Sequence, residues 1–195
     1  MNKNEDTCPW ANRSHLELDY HDNHWGFPLH DDSLLFEMLV LETMQAGLSW
    51  TTILAKRQGM NDAFDSFNPT IIQNYTEDKL EELLLDERVI RNKLKIKSIV
   101  ANAKNFLVIQ KEFGSFDQYI WAFVNHTPIQ SNYKDIQEVP NFTPLAEQIA
   151  KDLKKRGFKF IGPTTVYAFM QSIGMVNDHL TNCPIHQKVL DSYTK

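Results

Sequence analysis

The sequence predicts an all-α protein, and three observations support that fold class. Apolar residues recur at helical spacing, most clearly over 92–112, where Ile96 and Ile99 begin the repeat. Helix-start signals precede such segments, as where Thr143 stands before Pro144. No two apolar runs are joined by a hairpin turn, so no paired β-strands are expected.

Length and composition indicate one domain, or one domain with a small appendage, since the chain has 195 residues and an ordinary hydrophobic share of 42%. Apolar runs are too short to span a membrane, and the first residues lack the apolar stretch of a secretory signal, so we expect a cytoplasmic protein. Residues 1–7 are polar and are expected to fray. The net charge of −5 argues against a protein that coats nucleic acid without specificity.

The stretch Leu39–Trp50 is the centre of the predicted fold. It continues an apolar run, so a helix over about 33–45, capped by Asp31 or Asp32, is expected to be buried on all sides. Glu42 falls within this run, where burial of a carboxylate is costly unless a partner compensates. The pattern fits the rim of a pocket, and it fits equally a core helix whose acid is capped or paired.

An irregular segment, 8–32, is rich in aromatic and histidine residues and is expected to be mostly loop, with a short helix near 12–18. Four aromatic residues flank Glu42 in the sequence: Trp10, Tyr20, Trp25 and Trp50. If they meet in space, they form an aromatic box with one acid, which suits a flat or cationic ring. Taken singly, each is more typical of an ordinary core.

Two cysteines and two histidines have the chemistry of a zinc site. They are Cys8 and His21, with His179 and Cys183, which one helical turn would place on the same side. Two thiolates and two imidazoles complete a tetrahedral shell, and such a closed site is structural. It would join 8–30 to 174–187 as a clasp. His186 is a competing candidate for the ligand position of His179. The alternative to a metal site is two unrelated buried cysteines and surface histidines. A disulfide is not expected in a cytosolic protein.

A basic connection containing Gly157 and Gly162 lies between two predicted helices within 153–170. The glycines let the backbone turn, Thr164 is expected to cap the second helix, and the amides of that helix can hold a DNA phosphate. This arrangement is typical of a helix-hairpin-helix, with a plain helix–helix connection as the alternative. Two basic clusters are candidates for phosphate contacts or are simply solvated helix faces: Arg88, Arg91, Lys93, Lys95 and Lys97; and Lys151, Lys154, Lys155, Arg156 and Lys159. Residues 126–142 are expected to be a surface loop without strand pairing.

Five motifs, in order along the chain, closely resemble the DNA-3-methyladenine glycosylase I family. They are Cys8-Pro9-Trp10; Tyr20-His21-Asp22-Asn23-His24-Trp25-Gly26; Leu41-Glu42 with Gln45-Ala46-Gly47-Leu48-Ser49-Trp50; Lys154-Lys155-Arg156-Gly157-Phe158-Lys159-Phe160; and Val176-Asn177-Asp178-His179 with Cys183. The match runs from about residue 7 to 187. It implies an all-α helix-hairpin-helix DNA glycosylase that excises 3-methyladenine from alkylated double-stranded DNA. We expect one domain over 1–195 and a monomer.

The resemblance also implies roles for individual residues. Cys8, His21, His179 and Cys183 would bind one structural Zn²⁺ per chain. Glu42 would hydrogen-bond the extruded base, in a pocket lined by Tyr20, Trp25 and Trp50 with Trp10 close by. Leu48, next to Gly47, would enter the gap left in the duplex, while Lys159, Gly162 and Thr164 would contact the DNA backbone. Since Thr164–Met170 contains no lysine for a Schiff base, the abasic site should be left uncut.

Two positions depart from the family pattern: His24, where the family usually has Glu, and Thr43, where Gly is common. His24 suggests a fifth metal ligand or an acid catalyst, and Thr43 a small shift of Glu42, but neither is expected to abolish activity. Two other functions stay open. One is a metal-dependent nuclease, because His21-Asp22-Asn23-His24 loosely resembles an HNH motif, although that motif needs a β-hairpin. The other is a non-catalytic module that senses lesions in DNA.

Overall fold

Residues 7–193 are described by a computed structural model, and their regular structure is almost entirely helical. The helices are α1 His15–Asn23, α2 Asp32–Gln45, α3 Trp50–Ala63, α4 Pro69–Ile72, α5 Glu77–Leu85, α6 Lys93–Phe113, α7 Phe116–Trp121, α8 Pro144–Lys155, α9 Pro163–Ser172 and α10 Pro184–Ser192. Short 3-10 helices occupy Pro9–Arg13, Asp65–Phe67, Ala122–Val124 and Ile136–Glu138. Within 7–193 no helix combines the length and apolar character needed to cross a bilayer.

The N-terminal stretch for which fraying is expected lies outside the described residues, apart from Thr7. Thr7 is buried, with 7% of its surface exposed. The next residue, Cys8, is also buried and belongs to a cluster described below. The expectation of fraying is therefore wrong at Thr7.

Helix α2 lies at the centre of the fold and is buried on every side. Every residue from Leu35 to Met44 is buried, and the helix packs against α3, α6, α7 and α9. It begins after Asp31, whose carboxylate accepts hydrogen bonds from the backbone N–H groups of Ser33 and Leu34. The predicted buried helix is therefore confirmed, with Asp31 as its cap.

Asp32, the other candidate cap, serves a second helix instead. Its carboxylate accepts hydrogen bonds from the backbone N–H groups of Phe116 and Asp117, both at 2.8 Å, at the start of α7. The side chain of Gln110 donates a third bond to it. Because α7 has only six residues, too few for a stable isolated helix, its first turn depends on this contact with α2.

The expectation that 126–142 lacks strand pairing is wrong at two residues. Ile129–Gln130 (β1) and Val176–Asn177 (β2) form a short parallel pair, with Ile129 opposite Val176. Two residues are too few for an alternating pattern to be visible in the sequence. The pair ties the segment that follows α9 to the loop that follows α7.

One helix, α10, is absent from the sequence prediction, and α1 begins and ends later than the short helix expected near 12–18. The buried face of α1 consists of Glu17, Tyr20 and His21, so the spacing is helical although two of the three residues are polar. A search for apolar periodicity cannot place the ends of such a helix. The start of α1 is capped by Ser14, whose hydroxyl accepts a hydrogen bond from the Glu17 backbone N–H at 3.1 Å.

Candidate functional site

A cavity of about 410 Å³ opens beside α1, α2, α3 and α9. This volume lies within the range usual for small-ligand pockets. The lining residues are Trp10, Arg13, Glu17, Tyr20, Trp25, Glu42, Gln45, Trp50, Ile136, Val139, Pro140, Asn141, Thr164, Tyr167, Ala168, Gln171 and Asp178. Five of these 17 residues are aromatic and three are acids.

Helix α2 carries two buried acids in opposite surroundings. Glu37 is paired with Arg57 of α3, whose Nε donates to its carboxylate at 2.6 Å. Glu42 lines the cavity, is 5% exposed, and accepts no hydrogen bond from any described residue. Burial raises its pKa to about 8. Of the two interpretations that the sequence left open, the structure therefore favours the pocket.

Four aromatic side chains form one continuous wall of this cavity. The ring centroids of Trp10 and Trp25 lie 5.0 Å apart, and those of Tyr20 and Trp50 lie 5.2 Å apart. The two pairs are joined by Trp10 and Tyr20, at 6.5 Å. The residues that the sequence suggested for an aromatic box therefore do meet in space, next to Glu42.

Four buried polar atoms on the cavity wall lack a hydrogen-bond partner within the described chain: Tyr20 Oη, Trp50 Nε1, Glu17 Oε2 and Asp178 Oδ1. Because buried polar groups are nearly always satisfied, four such atoms around one cavity indicate that a ligand or ordered water supplies their partners. Sequence reasoning missed Glu17 and Asp178. Neither residue has a spacing pattern that marks it, since only tertiary packing brings it to the cavity.

Asp178 is held firmly in place on one side. Its Oδ2 accepts hydrogen bonds from the Tyr167 hydroxyl at 2.5 Å and from the Gln171 amide at 2.7 Å. Both donors lie on α9, and both line the cavity. This carboxylate thus joins the segment before the C-terminal helix to the cavity wall.

Cys8, His21, His179 and Cys183 come together although they lie at opposite ends of the chain. The Sγ of Cys183 is 3.6 Å from Nε2 of His21 and 3.8 Å from Nδ1 of His179. The Sγ of Cys8 is 3.9 Å from the same Nδ1. All four residues are buried, and neither cysteine is in a disulfide.

Both imidazoles of this cluster are oriented by their outer nitrogens. His179 Nε2 lies 2.9 Å from the Trp25 carbonyl, and His21 Nδ1 lies 2.7 Å from the Asp22 carboxylate. These acceptors place the ring protons on the outer nitrogens, so the inner nitrogens direct lone pairs at each other across 3.1 Å. Two facing lone pairs and two thiols are a donor set for a shared cation. The residues therefore fit a tetrahedral metal site.

The structure revises the predicted details of the clasp. His179 and Cys183 do not share a helix: Cys183 is the cap of α10, and His179 precedes a turn. His24 is exposed at the end of α1, outside the cluster, and stacks on Tyr20 at 6.2 Å. His186 is also outside the cluster.

The nuclease interpretation loses its structural basis in the described chain. His21, Asp22 and Asn23 lie on α1 and not on a β-hairpin. Thr43, the second departure from the family pattern, is fully buried and donates its hydroxyl proton to the Val40 carbonyl at 2.7 Å. Because α2 continues regularly through Thr43 to Gln45, Glu42 keeps its helical position.

The turn between α2 and α3 exposes Leu48 at the rim of the site. Gly47 has φ +78°, a conformation that favours glycine. Leu48 is 40% exposed. The hydroxyl of Ser49 then caps α3 by accepting a hydrogen bond from the Thr52 N–H. An apolar side chain is thus presented to solvent from a well-defined turn.

The connection between α8 and α9 differs from the prediction in two respects. Its left-handed residues are Gly157 (φ +96°) and Phe160 (φ +55°), and not Gly162. The cap of α9 is Gly162 and not Thr164, with Pro163 at the first helical position. Because glycine has no side chain to accept them, the first N–H groups of α9, including that of Thr164, are left for an external acceptor.

Asn102 of α6 fixes the backbone of this connection through two hydrogen bonds to Lys159. Its Oδ1 accepts a hydrogen bond from the Lys159 backbone N–H at 2.7 Å, and its Nδ2 donates to the Lys159 carbonyl at 3.2 Å. The side chain of Lys159 is exposed. The backbone is therefore held while the charge faces solvent.

The two basic clusters differ in how far their charges are engaged within the protein. In the first, Arg88 pairs with Asp86 at 2.7 Å and Lys97 with Glu77 at 2.8 Å. In the second, Lys154, Lys155 and Lys159 are exposed next to the α8–α9 connection. The geometry thus favours a structural role for the first cluster and leaves phosphate contacts to the second.

Comparisons with known proteins agree with this geometry. Residues 10–187 match the profile of the methyladenine glycosylase family. A DNA-3-methyladenine glycosylase of Haemophilus influenzae is 45% identical over 177 residues, which cover 91% of this chain and 96% of that protein. A crystal structure of 3-methyladenine DNA glycosylase I is 42% identical, with a TM-score of 0.90 and coverage of 92% of this chain and 99% of the other. A Staphylococcus aureus structure, described as the structural basis of 3-methyladenine recognition by 3-methyladenine DNA glycosylase I, is 35% identical, with a TM-score of 0.89 and 97% of each chain covered.

Proposed function

The chain belongs to the methyladenine glycosylase family, and we propose that it is an enzyme that hydrolytically excises 3-methyladenine from alkylated DNA, leaving an abasic site. The observation that carries this proposal is the position of Glu42, a buried acid with no hydrogen-bond partner among the described residues, on the wall of a cavity that contains a cluster of aromatic side chains. The recognition of 3-methyladenine by the Staphylococcus aureus relative gives further support.

Selection of the damaged base follows from charge. Alkylation at N3 makes adenine cationic and weakens its bond to the sugar, so the enzyme supplies little acid catalysis and acts mainly by selection. With a pKa of about 8, Glu42 is largely neutral in the empty cavity at neutral pH. A cationic ring next to it favours the carboxylate, and the surrounding aromatic rings add stacking and cation–π attraction. Neutral adenine gains neither the attraction to the Glu42 carboxylate nor the cation–π attraction.

Access to the base requires that it leave the duplex, at a cost of a few kcal/mol that is lower for a damaged base. In our proposal Leu48 fills the vacated position in the stack. Lys159 and the N–H groups that follow Gly162, including that of Thr164, hold the DNA backbone as a helix-hairpin-helix. The partner is therefore double-stranded DNA.

The proposed reaction ends at the abasic site. Cleavage of the strand through a Schiff base needs a lysine amine at the reacting carbon. Among the described residues, neither α9 nor the cavity wall contains a lysine. Water is thus the nucleophile.

We also propose that Cys8, His21, His179 and Cys183 bind one structural Zn²⁺ in a monomer that acts in the cytoplasm. Four protein ligands leave no open position for water, so the metal has no step in the reaction. The metal would instead hold the aromatic wall in place. The ring of His21 contacts that of Trp10, and Nε2 of His179 lies 2.9 Å from the Trp25 carbonyl.

The test is release of free base from DNA treated with a methylating agent. Wild type should release 3-methyladenine without cutting the strand. Glu42→Gln should reduce release at least about 100-fold while binding abasic DNA normally, and Glu81→Gln, on the exposed face of α5, serves as the control. A wild-type protein that binds abasic DNA but releases no base would instead be a lesion sensor.

A further inference from the structure

Glu17 also lies on the cavity wall, and the proposed recognition of the base by Glu42 does not involve it. It lies on α1, one turn before Tyr20, and only 2% of its surface is exposed. It lines the same cavity as Glu42, Tyr20 and Trp50. A carboxylate buried next to a ligand cavity is costly unless it is compensated.

The two oxygens of Glu17 have different surroundings. Oε1 accepts hydrogen bonds from the backbone N–H of Thr51 at 3.1 Å and from its hydroxyl at 2.8 Å. Thr51 is the second residue of α3, so the positive end of that helix also favours a negative carboxylate here. Oε2 is buried and has no partner among the described residues. Only half of this carboxylate is therefore satisfied by the protein.

The nature of the missing partner follows from this asymmetry. An ionised carboxylate only accepts hydrogen bonds, so Oε2 needs a donor. The helix end and Thr51 hold the group rigidly, which keeps Oε2 on the wall before any ligand arrives. A cationic purine with an exocyclic amino group offers both a donor and an opposite charge.

Resting on the proposed function, we propose that Glu17 is a second base-recognition carboxylate, whose Oε2 accepts a hydrogen bond from the cationic base and increases the preference for charged over neutral purines. Glu42 and Glu17 then divide the task. Glu42 gains its charge when the cation enters, whereas Glu17 is held in position on the wall by Thr51 at the start of α3.

The experiment compares dissociation constants of the 3,9-dimethyladeninium cation and of neutral 9-methyladenine, followed through tryptophan fluorescence. A methyl group at N9 takes the place of the sugar and keeps the first base cationic, whereas 3-methyladenine becomes neutral once it is released from DNA. Glu17→Gln keeps an oxygen for Thr51 but removes the charge. We expect it to weaken binding of the cation about 10- to 50-fold and binding of 9-methyladenine less than about threefold. Asp19→Asn makes the same change of charge on the exposed face of α1 and should leave both constants unaltered. The ratio of the two constants does not depend on the fraction of folded protein.

Thr51→Val separates recognition from a purely structural role, because it removes one bond to Oε1 and leaves the charge. It should change the ratio less than about threefold. The proposal is overturned if Glu17→Gln leaves the ratio unchanged, or if Thr51→Val reproduces the loss. It is also overturned if Glu17→Gln slows base release from DNA with no change in base affinity, which would assign Glu17 to the hydrolytic step. Failure of the wild type to release 3-methyladenine from DNA would count against the proposed function, whatever the variants do.

Discussion

The ammonium of Lys95 donates a hydrogen bond to the backbone carbonyl of Ala46 at 2.6 Å. It donates a second to the carbonyl of Met44 at 2.8 Å. Lys95 is 5% exposed and reaches these atoms from α6. The two carbonyls lie at the C-terminal end of α2, where the helix dipole is negative. One buried cation thus fixes the turn that carries Leu48.

Lys95→Met should destabilise the protein by roughly 2–3 kcal/mol, because both carbonyls lose a charged donor. Urea denaturation measures this change, with Lys104→Met on the exposed face of α6 as the control. We also expect slower base release from duplex DNA, since the turn is loosened, while free 3-methyladenine binds as in wild type. An unchanged free energy of unfolding would show that the two hydrogen bonds contribute nothing.

Glu42→Gln should make the protein more stable than wild type at the same pH, above about pH 8. The carboxyl keeps its proton up to about pH 8 in the folded chain but only to about 4.5, its ordinary pKa, when unfolded. Between these values the folded state binds more protons, so stability falls as pH rises through this window. The variant avoids that loss, which is at most roughly 5 kcal/mol above pH 8.

Thermal unfolding of wild type and Glu42→Gln from pH 5 to 9 checks the sign. Glu37→Gln provides the contrast, because that acid is paired with Arg57; its loss should destabilise the protein at neutral pH. Parallel stability curves for wild type and Glu42→Gln would contradict the raised pKa of Glu42.

Leu48→Ala should slow base release from duplex DNA about 10-fold, because a smaller side chain leaves the vacated stack open. Its affinity for free 3-methyladenine should not change, since Leu48 is not among the residues that line the cavity. Stability should stay within roughly 0.5 kcal/mol, as expected for a substitution at an exposed position. Single-turnover kinetics on methylated duplex, set against fluorescence titration with free base, separate these effects. Weaker binding of the free base would place Leu48 in the pocket.

Cys8→Ser should lower the zinc content from one ion per chain to well below one and reduce thermal stability. A chelator should do the same to wild type slowly, because the four ligands are buried. Metal analysis of dialysed protein and tryptophan fluorescence, which reports Trp10 and Trp25, follow the two effects. Zinc content that is the same in wild type and variant would exclude Cys8 as a ligand.

The sequence was most informative where chemistry and periodicity agreed. Ten consecutive buried residues of α2 follow from an apolar run that only a fully enclosed helix can bury. The cysteine and histidine residues were found because a complete zinc donor set is rare in one short chain, although their meeting in space is a property of the fold.

The features that the sequence did not reveal depend on contacts between distant segments. In the sequence, Glu17 cannot be told apart from an ordinary exposed acid on a helix. Only the fold brings it next to Thr51 and the cavity. The cap of α9 was misassigned because Thr164 has the preferred residue type, whereas Gly162 has the required backbone position. In both cases a local preference was outweighed by geometry that a single sequence does not contain.

Cys8 and Cys183 lie in one cluster although they stand near opposite ends of the chain. A metal bound to both would close nearly the whole polypeptide into a ring. In entropy models of cross-links, a ring of this length raises the free energy of the unfolded chain by about 5 kcal/mol. A single proteolytic cut in the largely exposed segment 131–143 would leave both fragments attached through the metal. The ion would then govern how long the pocket survives in the cell, and the reaction itself would not depend on it.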